Sequence, residues 1–363
     1  MYYVTVEKLH KLMIDVFTAL KVPPEDARTC ADVLIQSDLH GIESHGIARL
    51  KMYYDRIKAG IQFPETNIEV ISDRKATAVW DGHHGMGHVI ASKAMRKAID
   101  KAREYGIGSV AVRNSTHYGI AGYYSLMATK QDMIGINYTN ARPSTAPTHG
   151  VNPMLGTNPL CFGCPTNLPY PFLYDAATSI AQRGKVEVYN RAGKDVPEGW
   201  AINKEGEVCT NTPQLLKDLV EKNAALLPLG GVGELLGGHK GYGLSVIVEI
   251  LSAALQNGSY LHGLHGWQDG KQVPFRLGHF FLAMDISFYT DPASFKQISG
   301  DILKQLQNSQ TMPGQERIYV AGEKEYIKTQ EVRQKGVAIN EKLQENIQSI
   351  IKELQLPNPE LGF

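Results

Sequence analysis

The 363-residue chain balances 37 Lys and Arg against 37 Asp and Glu, with a sequence pI near 7.2, so no global field draws it to nucleic acid or an anionic membrane. The expected partner is a small molecule or a second copy of the chain. No stretch reaches the roughly 18 uninterrupted apolar residues that span a bilayer, Met1 to Lys8 has no apolar signal core, and four cysteines make no disulfide framework, so a reduced, cytoplasmic protein of about two or three packed units is predicted.

Val6, Leu9, Leu12, Met13, Phe17 and Leu20 recur at helical spacing, Pro23-Pro24 interrupts, and a second helix is predicted over Glu25 to Asp38, ending at Gly41. A third carries Ile47, Leu50, Tyr54 and Ile57 to a stop at Gly60. The pattern then changes. Ala76 to Asp81 reads as a strand, Val89 to Tyr105 as an amphipathic helix closed by Gly106, Gly108 to Arg113 as a strand, Ala121 to Lys130 as a helix, and Met133 to Tyr138 as a strand. Residues Ala141 to Gly238 are dense in Gly, Pro and Thr, the composition of loops that carry binding groups on a rigid frame. Gly241 to Leu255 reads as a largely apolar, buried helix, Phe280 to Ile286 as a strand, and Ile339, Leu343, Ile347, Ile350, Ile351 and Leu354 as one face of a last helix. The alternation predicts a mixed α/β fold. A helical domain over 1–75, completed by 290–363, is expected beside a mixed α/β cofactor-binding and catalytic domain over 76–289.

The densest chemistry lies at Ser44-His45-Gly46-Ile47-Ala48-Arg49, followed by Tyr53 and Arg56. Histidine exchanges a proton near neutral pH, and the planar fork of arginine suits a carboxylate. On a helix Arg49 would lie one turn from His45. The pair describes a site for a small carboxylic acid that gains or loses a proton, against the bland alternative of a helix exposing both to water. Arg113 to Gly119, with His117, falls where a strand ends and a helix begins, a common ligand position in α/β proteins. By itself His117 equally suits a cap or a core, and Asp175 an ordinary turn or helix cap.

Other patterns are weaker. Cys161-Phe162-Gly163-Cys164 matches C-x-x-C, but it sits in an apparent buried strand without a second pair, and His84 and His88 lack the H-E-x-x-H context, so no metal is expected. Gly231 to Gly237 superficially resembles a Rossmann loop. The preceding Leu226-Leu227-Pro228-Leu229 contains proline, and Glu249 falls inside the following helix instead of at a strand tip, so the fingerprint fails. Gly237-Gly238-His239-Lys240-Gly241 can still bind phosphate through the N–H groups of a helix start and one lysine. No G-x-S-x-G is present, which disfavours an α/β-hydrolase.

Taken in order, Ser44-His45-Gly46 with Arg49 and Tyr53, Asn114 to Gly119, Thr139-Asn140, Leu155 to Leu160, Asp175-Ala176-Ala177-Thr178-Ser179, Gly184-Lys185, Pro197 to Ala201, Leu229 to Gly231, Gly238 to Leu244 and Pro313-Gly314 resemble the type-2 malate/L-lactate dehydrogenase family over nearly the whole chain. That family also holds sulfolactate and ureidoglycolate dehydrogenases and related reductases. The resemblance implies a non-Rossmann nicotinamide-binding fold, a homodimer, and hydride transfer between NAD or NADP, with NAD preferred, and a 2-hydroxy/2-keto acid, malate/oxaloacetate first. It implies His45 as leading acid/base with Ser44 and Arg49 beside the substrate, His117 as the other histidine for proton transfer, and Arg49, Tyr53, Thr157 and Asn158 as substrate contacts. The implied cofactor contacts are Asn140, Asp175, Ala176, Ala177, Thr178, Ser179, Lys185, His239, Lys240, Gly241, Pro313 and Gly314. Departures fall at Ala141 to Pro147, Thr148-His149-Gly150 and Gln315. A malate enzyme needs a second cation, for which Arg142, Arg183, Lys185 and His149 are candidates. The rival readings are a reductase of another keto acid, ureido acid or cyclic imine and, outside the class, a cofactor-free hydrolase or lyase.

Overall fold

The computed structural model describes residues 2–357 and 360–363. The two ends of the chain meet. Strand β1 (Tyr2–Val4) pairs antiparallel with β13 (Val337–Ile339), Tyr2 opposite Ile339. Helix α1 (Val6–Ala19) starts where the Thr5 side chain accepts from the Lys8 N–H and buries Leu9, Leu12, Met13, Val16 and Phe17 on one face. Helix α2 (Pro24–Leu39) has proline at its first position and Glu25 and Asp26 in its first turn, where the helix dipole favours acids. These helices share a core with α3 (Leu50–Lys58) and with Val332, Val337, Ile339, Ile347 and Ile350 from the far end of the chain.

The second core is built on a seven-stranded sheet whose first strands are β2 (Glu69–Arg74) and β3 (Thr77–Asp81). After helix α4 (Gly87–Tyr105) comes β4 (Ile107–Ser115), and after α5 (Gly122–Thr129) come β5 (Met133–Thr139), β6 (Leu160–Cys164) and β7 (Phe172–Ala176). With β12 (Leu277–Asp285) the order is β2-β3-β4-β12-β5-β6-β7, and only β3 and β4 run parallel. A doubly wound Rossmann sheet is mostly parallel, whereas this one is almost wholly antiparallel, so the failed glycine fingerprint and the topology agree. Gly108 lets α4 lie close on the sheet, since a Cβ there would stand 2.1 Å from the Ala98 carbonyl oxygen.

A smaller layer joins α6 (Arg183–Arg191), β8 (Ala201–Asn203), α7 (Thr212–Glu221) and β9 (Ala224–Leu226) around Val186, Trp200 and Leu215. Helix α8 (Gly238–Leu251), the hairpin β10 (Trp267–Gln268) and β11 (Lys271–Gln272), α9 (Pro292–Gln307), α10 (Glu323–Lys335) and α11 (Glu341–Leu354) complete the chain. Helix α9 lies against the sheet unit, where the Asn167 N–H donates to the Lys296 carbonyl and Lys296 Nζ meets Asp132 at 3.1 Å. No described helix is long and apolar enough to cross a membrane.

Three local expectations need correction. His45 is not helical: residues 43–45 form a turn, a 3-10 segment runs over Ile47–Arg49, and α3 begins only at Leu50. Helix α8 starts three residues earlier and ends four earlier than expected, and it is not buried all round, since Leu244, Ile247 and Ile250 are 39, 49 and 54% exposed. The late strand spans Leu277–Asp285, its start set by Leu277 pairing with Ser115 of β4, and β5 joins on the other side from His279.

Candidate active site

The turn after α2 and the end of β4 bring the two histidines of the sequence motifs together. The His45 and His117 rings stack with centroids 5.6 Å apart and planes 23° from parallel. Each Nδ1 faces a hydroxyl: Ser44 Oγ lies 2.8 Å from His45 Nδ1, and Tyr53 Oη 2.5 Å from His117 Nδ1. The Gly119 N–H also donates to His117 Nδ1 at 3.3 Å. That nitrogen is therefore the acceptor, and neutral His117 carries its proton on Nε2. Among the described residues no hydrogen bond engages Nε2 of either ring.

Burial pushes the His45 pKa down to about 4, helped by the Arg49 charge. Burial pushes His117 lower than its ordinary value as well, followed by the charges of His45, Arg56 and Arg49. Two stacked imidazoles cannot both carry a proton at low cost. Both causes favour the neutral form of each ring.

Both rings open into a cavity of about 170 Å³ lined by Ile42, Gly119, Thr139, Asn140, Ala141, Thr157, Asp175, Ala176 and Ala177, among others. Small side chains dominate the wall, so a flat ring can approach the backbone. Thr157 offers a neutral hydroxyl at this wall, a group that fits a nicotinamide carboxamide. Behind this wall Asn140 Oδ1 accepts from the Gly278 N–H at 2.8 Å and its Nδ2 donates to the Ser259 carbonyl. Asn158, held at φ +36°, donates from Nδ2 to Glu249 Oε2 at 2.8 Å, while its Oδ1 accepts from the Ala141 N–H. Glu249 Oε1 also accepts from the Leu261 N–H. Asp175 accepts from the Gly122 N–H at the start of α5, and burial pushes its pKa up to about 6.

Other predicted residues stand outside that cavity's wall. Thr178 and Ser179 are buried behind it, Thr178 donating to the Thr157 and Asn158 carbonyls and Ser179 to that of Ala181. Lys185 lies over the Trp200 ring, His239, Lys240 and Gly241 open α8, and Pro313-Gly314 form an exposed turn. The two cysteines of C-x-x-C are free and buried on β6. Among the described residues no group of three metal-ligating side chains comes together.

The cations sort themselves by partner. Arg183 pairs with Glu187 at 3.1 Å, Lys185 sits on Trp200, and His149 faces Glu234 on the surface. Arg142 remains without an acidic partner among the described residues, and so do Arg49 and Arg56. Arg49 Nε donates to the Ser44 carbonyl at 2.6 Å, which ties the guanidinium to the histidine turn. Arg56 lies over the Phe275 ring, 4.5 Å from its centroid. Burial first, then the charges of Arg142 and Arg49, bring its pKa down to about 10. Arg56 was visible one turn after Tyr53, but nothing in the sequence marked it as a partner of Arg142.

The malate/L-lactate dehydrogenase family model matches residues 4–348. A malate dehydrogenase of Pyrococcus abyssi is 45% identical over 95% of this chain and 93% of its own length. The L-sulfolactate dehydrogenase of Methanothermobacter thermautotrophicus is 35% identical over 95% of each. The crystal structure of malate dehydrogenase from Entamoeba histolytica superposes with a TM-score of 0.95 at 41% identity, covering 98% of this chain and 99% of that one. With the mixed sheet and the paired histidines they agree on one conclusion: this chain belongs to the malate/L-lactate dehydrogenase family.

Proposed function

We propose that the protein moves a hydride between a nicotinamide dinucleotide, NAD in preference to NADP, and malate/oxaloacetate. The observation that carries the substrate is the set of three guanidinium groups, Arg49, Arg56 and Arg142, none paired with a described acid: Arg49 and Arg56 act on the neutral His117, and Arg142 acts on Arg56. Arg49 and Arg56 are half-buried and Arg142 is exposed; like charges gathered without counter-ions repel one another, and a substrate with two anionic groups relieves repulsion that a monocarboxylate leaves partly in place. A sulfonate in place of the distal carboxylate meets the same cations.

In the oxidation direction His45 Nε2 takes the hydroxyl proton. Ser44 fixes the ring from Nδ1, and the depressed pKa keeps the imidazole in its basic form at neutral pH. The Nε2–H of His117 donates to the same substrate oxygen and steadies the charge that builds there. Arg49 grips the C1 carboxylate through its planar fork, and Arg56 and Arg142 face the distal group. Asn140, Thr157 and Ala176 would hold a bound nicotinamide against the cavity wall, where it would supply the hydride acceptor for C2. Reduction runs these transfers backwards, with the proton returning from His45 to the ketone oxygen.

Helix α8 supports a homodimer, because the exposed Leu244, Ile247 and Ile250 form an apolar stripe flanked by Leu255 and the nearly bare Leu235 and Leu236. Four free cysteines support a cytoplasmic setting. The helical and sheet-based cores support a division into a helical unit and a catalytic unit. The deciding assay mixes the protein with NADH or NADPH and oxaloacetate, pyruvate or sulfopyruvate and follows loss of absorbance at the nicotinamide band. Rapid turnover of oxaloacetate with slow turnover of pyruvate is expected. Equal turnover of the two, or turnover without any nicotinamide, would overturn the assignment.

A further inference from the structure

We propose that Asp38 is the positioning residue that sets the Ser44-His45-Gly46 turn and so aims His45. Asp38 lies in the last turn of α2 and is 4% exposed. Its Oδ2 reaches nine positions along the chain to accept the Ile47 N–H at 2.8 Å. Ile47 opens the 3-10 segment that leads into α3, and no cap side chain from the preceding residue satisfies that start. The carboxyl therefore does the work of a helix cap from a distance, clamping the end of α2 to the start of the next helical segment. The histidine turn is the loop caught between the two clamped ends.

The fit on the loop side is equally close. A Cβ on Gly46 would stand 1.9 Å from Asp38 Oδ1, so only glycine lets the turn settle onto the carboxyl. The turn's other ties are backbone bonds, His45 N–H to the Ile42 carbonyl and Ile42 N–H to the Ser37 carbonyl, with Ser37 Oγ donating to Ile42 and Arg49 Nε to Ser44. Among these, Asp38 supplies the contact that fixes the exit of the turn. No described cation pairs with it. Burial pushes its pKa up to about 8, with Glu43 adding to the rise and the Ile47 N–H opposing it. Oδ2 accepts the Ile47 N–H whichever protonation state the group holds, and asparagine, which keeps a carbonyl oxygen there, is its near mimic.

This inference rests on the assignment of His45 as acid/base. Asp38→Ala, Asp38→Asn and Gly46→Ala are compared with wild type for kcat with oxaloacetate, for NADH affinity by fluorescence titration, and for Tm. Misplacing a catalytic group by about 1 Å costs about 100-fold. Asp38→Ala is expected to lose about 30- to 100-fold in kcat with NADH affinity within about twofold of wild type. Asp38→Asn, which keeps the acceptor, is expected to retain most of kcat. Gly46→Ala displaces the carboxyl from the opposite side and gives the same kcat loss, which keeps the test alive if Asp38→Ala does not fold. Asp38→Asn falling as far as Asp38→Ala, or folded Asp38→Ala and Gly46→Ala turning over like wild type, overturns the inference. His45→Ala, measured alongside, separates the two levels. If it is inactive while Asp38→Ala is normal, only the positioning role fails; if it turns over like wild type, the function assignment falls and takes this inference with it.

Discussion

His88 lies on α4, fully buried, with neither ring nitrogen hydrogen-bonded among the described residues. It packs edge-on to Tyr53, ring centroids 4.6 Å apart, and near Phe17, and burial pushes its pKa down to about 3. A folded-state pKa below the unfolded value of about 6.5 means that the unfolded chain takes up the proton first as pH falls. The corresponding stability is complete above about pH 6.5 and drains away toward about pH 3. Between pH 7 and pH 5 this single group is expected to cost about 2 kcal/mol. His88→Leu removes the titration and the unpaired nitrogens with little change of volume. The variant should be at least as stable as wild type at pH 7, because an unsatisfied buried polar group costs about 1–3 kcal/mol. It should lose about 2 kcal/mol less on going to pH 5, roughly 2–4 °C in Tm for a chain of this size. Urea or thermal unfolding of both proteins at the two pH values measures the difference. Parallel acid losses in wild type and variant would refute the reasoning, since His88 would then have found a partner or a proton in the folded state.

Further outcomes follow from the site. His45→Ala and His117→Ala are each expected to lower kcat by about 100- to 10,000-fold, and wild-type malate oxidation should hold level as pH falls through 6.5, its acid limb displaced toward about 4 because the basic form of His45 persists. A limb centred at 6.5 in kcat/KM would show that the imidazole is not desolvated in the free enzyme. Arg56→Gln and Arg142→Gln should raise the KM for oxaloacetate about 10- to 100-fold and leave pyruvate turnover within a few-fold, in steady-state assays; equal losses on both substrates would place these arginines away from the distal carboxylate. Gly278→Ala should destabilise the fold or the nicotinamide site, as its Cβ would stand 1.6 Å from the Ser252 carbonyl oxygen, and a normal Tm with normal NADH affinity would contradict that geometry.

Much of the sheet was legible because its strands alternate or run apolar where they are covered: Met133–Thr139 buries every second residue. β2 and β7 escaped notice because they edge the sheet and bury little, so periodicity has nothing to report. The reading of His45 and Arg49 as a helical pair failed for a tertiary reason, the buried Asp38 capping Ile47 and unwinding the residues before it. Both histidines could be named from local motifs, but their stacking joins α2's exit turn to the loop after β4, and the Tyr53 bond to His117 spans 64 positions. Glu249 lies inside α8, where the sequence placed it in a helix and not at a strand tip. Its role as a buried anchor for Asn158 depends on contacts 91 residues apart, which no window of sequence contains.

Helix α8 presents two faces that one backbone must serve. Its inward side holds Glu249, hydrogen-bonded to Asn158 and to the loop that also meets Asn140, while Ile250, the next residue, points outward beside Ile247. A rigid helix cannot shift one set without shifting the other. In the proposed homodimer the partner covering the outer face would share this helix with the supports of Asn158 and Asn140, and any coupling through it would be reciprocal by linkage. Nicotinamide affinity measured at low protein concentration should consequently be weaker than at high concentration, and the dinucleotide should in turn hold the assembled form together on dilution.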